Sequence, residues 1–148
     1  MRALVQRVSK ANIKVNEKNI SSINKGLLVL LGIQDTDDES DITWLSNKII
    51  KMRIFEDDNR KMNQSIEDIG GELLIVSQFT LYASTKKGNR PSFINAAHPD
   101  KALPIYQTFV SECNKQISTQ TGKFGAMMQV GLVNDGPVTI WLDSRNKE

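Results

Sequence analysis

Histidine and cysteine are nearly missing from this sequence, which holds one of each, His98 and Cys113. A lone cysteine excludes an intrachain disulfide and gives no sign of export. With one His and one Cys there is no Cys/His zinc constellation. No Asp/Glu grouping has the spacing of a ligand set either, so neither a metal nor a cofactor is expected. A Ser-His-Asp or Cys-His device would have to use His98. That residue precedes Pro99, where a helix is about to start, so a capping or surface role is expected of it. Long apolar runs are also missing. The longest, residues 26–33, is far too short to span a bilayer. The opening MRALVQRVSK has no apolar core region and no small-residue cleavage site, so it does not read as a signal peptide. No membrane partner is expected, and the cytoplasm is the expected location. Nor is there an excess of charge of one sign. The net charge is +2, whereas dedicated nucleic-acid binders are often much more basic. Lys86, Lys87 and Arg90 do cluster, either as a solvated loop or as phosphate contacts.

What remains is an ordinary globular composition. The 148 residues, 39% apolar and 24% charged, fit one domain over residues 1–148 with a single real core. Ala3, Val5 and Val8 roughly alternate with polar Arg2, Gln6 and Arg7, and Ile13 and Val15 alternate with Asn12 and Lys14; both stretches read as strand. Residues 16–19 read as a hairpin turn. The unbroken apolar run 27–33 reads as a strand buried on both faces. Asp37 and Asp38 open a helix with Ile42, Leu45, Ile49 and Ile50 at helical spacing. After the break at Gly70-Gly71, residues 72–79 are the best central-strand candidate. Residues 83–92 read as a long functional loop. A second helix starts at Pro99 or Leu103 and runs to about Lys115. Pro104 would cost ~3 kcal/mol in a helix interior, which favours a start there. Two strands, 126–133 and 138–142, close the chain, joined by Asn134-Asp135-Gly136-Pro137. The expected fold is a strand-rich α/β domain, one compact unit with a mainly antiparallel sheet in barrel-like layers and two substantial helices.

Two places break the local rules. Ser77, Gln78 and Thr80 follow directly on the most apolar strand; they line a cleft, or they simply face water. Gly136-Pro137 sits between two strands, where Gly supplies backbone angles closed to other residues and Pro removes a donor. A tight hairpin turn explains it equally well.

At these segments the sequence resembles the D-aminoacyl-tRNA deacylase family of the widespread bacterial and eukaryotic type. Ser77-Gln78-Phe79-Thr80 and Asn134-Asp135-Gly136-Pro137-Val138-Thr139 resemble the family's paired signatures. The likeness runs along the chain, through Gln6-Arg7-Val8, Gly26-Leu27-Leu28, Arg53-Ile54-Phe55-Glu56-Asp57, Arg90-Pro91-Ser92-Phe93 and Phe124-Gly125. Gly131 departs from it, standing where many members carry a larger residue; a strand glycine of this kind marks a close approach.

The resemblance implies hydrolysis of the ester between tRNA and a D-amino acid, or glycine mischarged on tRNA(Ala), by a homodimer with its active site at the subunit interface. It implies a cis Gly136-Pro137 peptide whose carbonyls crowd the partner's pocket and exclude L-residues, a selection by lack of room. Arg7 is implied to hold that segment, with Ser77 in the substrate pocket. Gln78, the Phe79 backbone and Thr80 are the implied catalytic group, with N–H groups near Phe79 and Thr80 taking the oxyanion. Without a base, a threonine hydroxyl is a poor nucleophile, so water attack assisted by the tRNA 2′-hydroxyl is expected. Phe124 and Met128 match adenosine-contacting positions, although both also suit a core. Lys86, Lys87 and Arg90 are candidates for acceptor-stem phosphates. Aminoacyl-tRNA is the expected partner and DNA is not. Two rivals remain: a different ester or thioester hydrolase using Ser77 or Thr80, which lacks a Gly-x-Ser-x-Gly elbow and a partner histidine, and a non-catalytic module that holds the tRNA acceptor end.

Overall fold

The computed structural model describes residues 1–147. The opening alternation forms one strand, β1 (Arg2–Val15), and both of its edges are occupied. Asn16 and Glu17 take positive φ, 49° and 62°, the geometry of a tight hairpin. This turn leads into β2 (Lys18–Ile23), which pairs with the second half of β1. Next, β3 (Gly26–Gly32) pairs antiparallel with the first half of β1. Helix α1 (Glu39–Lys51) follows, then a small hairpin of β4 (Phe55–Glu56) and β5 (Met62–Gln64). The chain continues through β6 (Glu72–Ser77), a short 3-10 turn at Phe79–Tyr82, helix α2 (Pro99–Asn114) and β7 (Thr119–Thr121). It ends in β8 (Gln129–Asp143), which runs antiparallel along the other edge of β1.

The expected class holds: a single α/β domain with two substantial helices, whose main sheet has the order β2-β1-β3-β6-β7, with β8 on β1. All pairings of β1 are antiparallel. The connectivity is less hairpin-like than the sequence suggests, because β6 is parallel to both β3 and β7. Parallel neighbours need crossovers, and α1 and α2 supply them. Ser21 Oγ donates to the Thr121 carbonyl, drawing β2 towards β7 and nearly closing a barrel.

Strand parity explains the two apolar layers. Leu27, Val29, Leu31, Leu73 and Ile75 face the helices, where they meet Leu45, Ile49, Phe109 and Cys113. Leu28, Leu74 and Val76 face the barrel interior with Val8, Ala11 and Ile13. Strands β3 and β6 are therefore apolar on both faces, as their unbroken runs imply.

Several expectations need correction. Helix α2 begins at Pro99, and Pro104 lies inside it. This early in the helix, the missing N–H leaves only the carbonyl of exposed Asp100 without its partner. Asp38, rather than Asp37, caps α1 through a reciprocal pair with Asp41. Asp37 instead accepts the buried Met1 ammonium at 2.7 Å. That ammonium also donates to Ser144 Oγ at 2.6 Å, and Ser144 donates to Asp41. The polar C-terminal segment is thus tied down at Ser144; Glu148 lies outside the described residues. The two expected last strands are one strand, which detours at 134–139 and then resumes along β1. Gly131 does mark a close approach, since a Cβ there would lie 2.6 Å from Asn12 Oδ1. No helix among the described residues is long and apolar enough to cross a membrane.

Gly26 sets the spacing of the parallel pair at the centre of the sheet. A Cβ at this position would lie 1.9 Å from the Glu72 carbonyl oxygen, a backbone atom that cannot move without parting β3 from β6. Gly26→Ala is expected to cost at least ~2 kcal/mol, read as a lowered urea midpoint with an unchanged slope. An unchanged midpoint would contradict the close approach.

Candidate active site

Strand β6 ends at Ser77, two residues before the expected limit. The Gln78 N–H donates to the Leu31 carbonyl at 2.7 Å, after which the chain turns into the 3-10 segment. There Leu81 N donates to Gln78 O at 3.2 Å, and Ala83 N to Thr80 O at 3.0 Å. The Phe79 and Thr80 N–H groups precede the first i→i+3 donor, the Leu81 N–H, so neither has a partner within the turn. Gln78 Nε2 donates to Thr80 Oγ1, which fixes both polar side chains against each other.

This strand end forms one wall of a cleft of about 670 Å³. Buried Val76, Ala97 and Ala102 contribute to its lining, with Ser77, Gln78 and Phe79 on the strand-end side. Phe93 and His98 come from the segment leading into α2, and Phe124 and Met128 from the segment between β7 and β8. The Phe79 ring is 54% exposed and meets Phe93 edge-on at 5.0 Å. Phe124 is half-buried against Tyr106, 5.6 Å between centroids, and so serves the core and the cleft at once. Met128 does the same against the interior layer; a Cβ on Gly122 would lie 2.7 Å from its sulfur, so that glycine makes room for it. A larger hollow of about 950 Å³ runs along the outer face of α1, but it is open to solvent and has no polar strand end aimed into it.

Ser77, Gln78, Phe79, Phe124 and Met128 are therefore brought together. Thr80 is exposed and stands beside this lining rather than in it, reached through Gln78. Lys86, Lys87 and Arg90 are exposed on a loop whose base is pinched by paired hydrogen bonds between Ser84 and Ser92. They do not line the cleft, although the loop returns into it at Phe93. Phe93 and His98 are among the lining residues outside the expected set. Phe93 closes a motif already visible in the sequence, Arg90-Pro91-Ser92-Phe93. His98 was expected to cap a helix or sit on the surface. It occupies the cap position of α2 but makes no side-chain cap bond, and its imidazole borders the cleft. Cys113 is buried and its thiol is pushed up to about 12, chiefly by burial with Glu112 adding to it, which leaves it unreactive.

The second expected region lies elsewhere. Thr139 pairs with Gln6 and Asn134 with Val8, so the intervening residues of β8 bulge outward opposite Arg7. The Gly136-Pro137 peptide within this bulge is cis. Arg7 shares the parity of Ala3 and Val5, so its side chain enters the layer beneath the sheet and is 5% exposed. Its Nε donates to the Asp135 carbonyl at 2.9 Å, and Nη1 to the Ile54 carbonyl at 2.6 Å. Asn134 Oδ1 accepts from Val138 N at 3.0 Å, and Asn134 Nδ2 donates to Thr139 Oγ1 at 3.0 Å. Gly136 has φ +133°, and a Cβ there would sit 3.0 Å from Arg7 Nη2, so no other residue fits. The bulge is rigidly held, yet neither Gly136 nor Pro137 lines the cleft of its own chain.

Known proteins share this arrangement over their full length. The chain is 56% identical to the D-aminoacyl-tRNA deacylase of Flavobacterium psychrophilum and 58% identical to that of Cytophaga hutchinsonii, covering 100% of both sequences in each case. Among solved structures, c-Myc DNA Unwinding Element Binding Protein superposes with a TM-score of 0.92 at 41% identity, over 97% of this chain and 98% of that one. A structure described as a probable eukaryotic D-amino acid tRNA deacylase shares the fold, with a TM-score of 0.81 at 18% identity over 95% and 97% of the two chains. Fold, cleft and relatives together define a single-domain hydrolase. The chain belongs to the D-Tyr-tRNA(Tyr) deacylase family, whose model matches residues 4–143.

Removing the guanidinium would leave the Asp135 and Ile54 carbonyls without their donor. Arg7→Ala is expected to lower stability by roughly 2–4 kcal/mol and to speed amide exchange at Val138 more than at Val5, which lies in the regular ladder. Unchanged exchange at Val138 would show that Arg7 does not hold the bulge.

Proposed function

We propose that this chain is a cytoplasmic D-aminoacyl-tRNA deacylase acting as a homodimer, with the bulge of one subunit completing the cleft of the other. The observation that carries this reading is the meeting of a polar strand end with a half-buried apolar wall in one cleft. The Phe124–Met128 side suits the terminal adenosine, which needs an apolar or stacking surface. Ser77, Gln78 and the Phe79 backbone then stand beside the ester. The rigid 134–139 bulge, which does not line its own cleft, is suited to entering that of a second copy. There the main chain of Gly136 and Pro137 leaves no room for the side chain of an L-residue. A D-residue directs its side chain elsewhere, and glycine has none to reject, so glycine mischarged on tRNA(Ala) is also a substrate.

The chemistry is that of an activated ester, which makes modest demands. Attack by water, oriented by the neighbouring 2′-hydroxyl of the adenosine, and an oxyanion held by the Phe79 and Thr80 N–H groups suffice. Thr80 supports Gln78 rather than reacting, since no basic side chain lies within hydrogen-bonding distance of its hydroxyl. Lys86, Lys87 and Arg90 extend beyond Phe93, where the acceptor-stem backbone would pass. The 41%-identical relative is named for binding a DNA element; a tRNA end is the preferred ligand here because the 56%- and 58%-identical full-length relatives are D-aminoacyl-tRNA deacylases.

Wild-type protein is expected to release D-tyrosine from D-Tyr-tRNA and glycine from Gly-tRNA while sparing L-Tyr-tRNA, and Thr80→Ala is expected to keep at least ~10% of the wild-type rate. Hydrolysis of both enantiomers would instead identify a generic esterase. Binding without hydrolysis would identify an acceptor-end binding module, and complete loss in folded Thr80→Ala would make that hydroxyl chemically essential.

A further inference from the structure

The cleft is almost free of charge. Among the described residues that line it, His98 alone carries an ionisable side chain. The substrate proposed above is a polyanion, so one titratable cation at an otherwise neutral cleft has a specific consequence. We propose that His98 is a positioning residue for the RNA end of the substrate, its protonated imidazole holding the phosphate that joins the terminal adenosine to the chain. This rests on the deacylase reading and deepens it.

The placement supports the assignment. The His98 side chain is 77% exposed, so it stands at the mouth rather than among the buried lining residues. Phe124 and Met128 offer the base an apolar wall inside the cleft, and the backbone phosphate of a base held there emerges at the mouth. The imidazole is not committed to the helix, since it makes no cap bond. Its ion-pair partner among the described residues is Asp100, with Nδ1 at 3.2 Å from Oδ2, and that carboxylate is 92% exposed, so it leaves the ring open to a ligand. Other cations are placed elsewhere. Lys101, next on α2, donates to the Asp35 carbonyl. Lys123 is exposed just before Phe124, and Lys86, Lys87 and Arg90 are exposed on the neighbouring loop, all outside the lining. No ionisable side chain from the strand end, from the segment around Phe93 or from that around Phe124 borders the cleft beside His98. A phosphate leaving the cleft therefore meets His98, whose imidazole N–H groups can donate to it.

The test compares two substrates and two variants. D-Tyr-tRNA carries the phosphate; D-tyrosyl-adenosine has the same ester and the same titrating α-amino group but no phosphate. KM for D-Tyr-tRNA is expected to be about threefold higher in His98→Gln than in wild type, as for an exposed ion pair, and no higher in His98→Arg than in wild type, with kcat within about twofold throughout. With D-tyrosyl-adenosine all three proteins should share one KM. Equal KM for wild type and His98→Gln on the tRNA would overturn the assignment, as would an effect of the same size on the adenosine ester. A fall in kcat at constant KM would overturn it too, because the ring would then be moving protons. Wild type inactive on both substrates would overturn the deacylase reading, and this inference with it.

Discussion

A buried guanidinium organises the feature on which the proposed selectivity depends. Burying a charged group costs several kcal/mol unless its hydrogen bonds are made, and Arg7 makes them to two main-chain carbonyls from distant parts of the chain, Asp135 and Ile54. Strand β8 cannot pass straight across this residue. It leaves the ladder after pairing with Val8 and rejoins it at Gln6. The bulge that results is main chain held by side chains, with Arg7 donating to the Asp135 carbonyl and Asn134 Oδ1 accepting from Val138 N. Such a surface has few degrees of freedom, and selection by lack of room requires exactly that property: a side chain would swing aside, whereas an anchored peptide does not.

The cleft has a complementary economy. It contains hydroxyl, amide and main-chain N–H groups, aromatic rings and a single ionisable side chain, with no acid–base pair. Hydrolysis of an activated ester by oriented water is compatible with such a lining; hydrolysis of an amide would ask for more. The lone thiol, Cys113, is sealed in the core against the helices. Catalysis on this view comes from position, and the affinity for RNA from the rim.

Much of this was legible in the sequence, and the failures have physical causes. The two-faced apolar runs of β3 and β6 marked the centre of the sheet, because only strands covered on both sides read that way. The acidic start of α1 marked its N-terminus. The parallel pairing of β6 was not legible, since parity and composition do not report strand direction. Pro104 was misleading because the cost of an interior proline depends on which carbonyl loses its partner; here it belongs to exposed Asp100. Asn134-Asp135-Gly136-Pro137 read as a turn because these residues favour turns everywhere. Whether they reverse the chain or bulge from a continuing strand is decided by Arg7, 128 positions from Asp135. His98 lies at the exposed helix start expected of it, but its place beside the cleft was not legible. Its neighbours announce a helix start, while the cleft beside it is assembled from segments that only the fold brings together.

The most direct test of the central claim is a crystal structure of the protein with a non-hydrolysable D-tyrosyl-adenosine analogue. The account predicts the adenine against Phe124 and Met128, and the Gly136-Pro137 main chain of a second copy packed against the α-carbon of the bound D-residue, on the side an L side chain would occupy. An analogue bound in a complete cleft with the bulge of every copy facing solvent would contradict it.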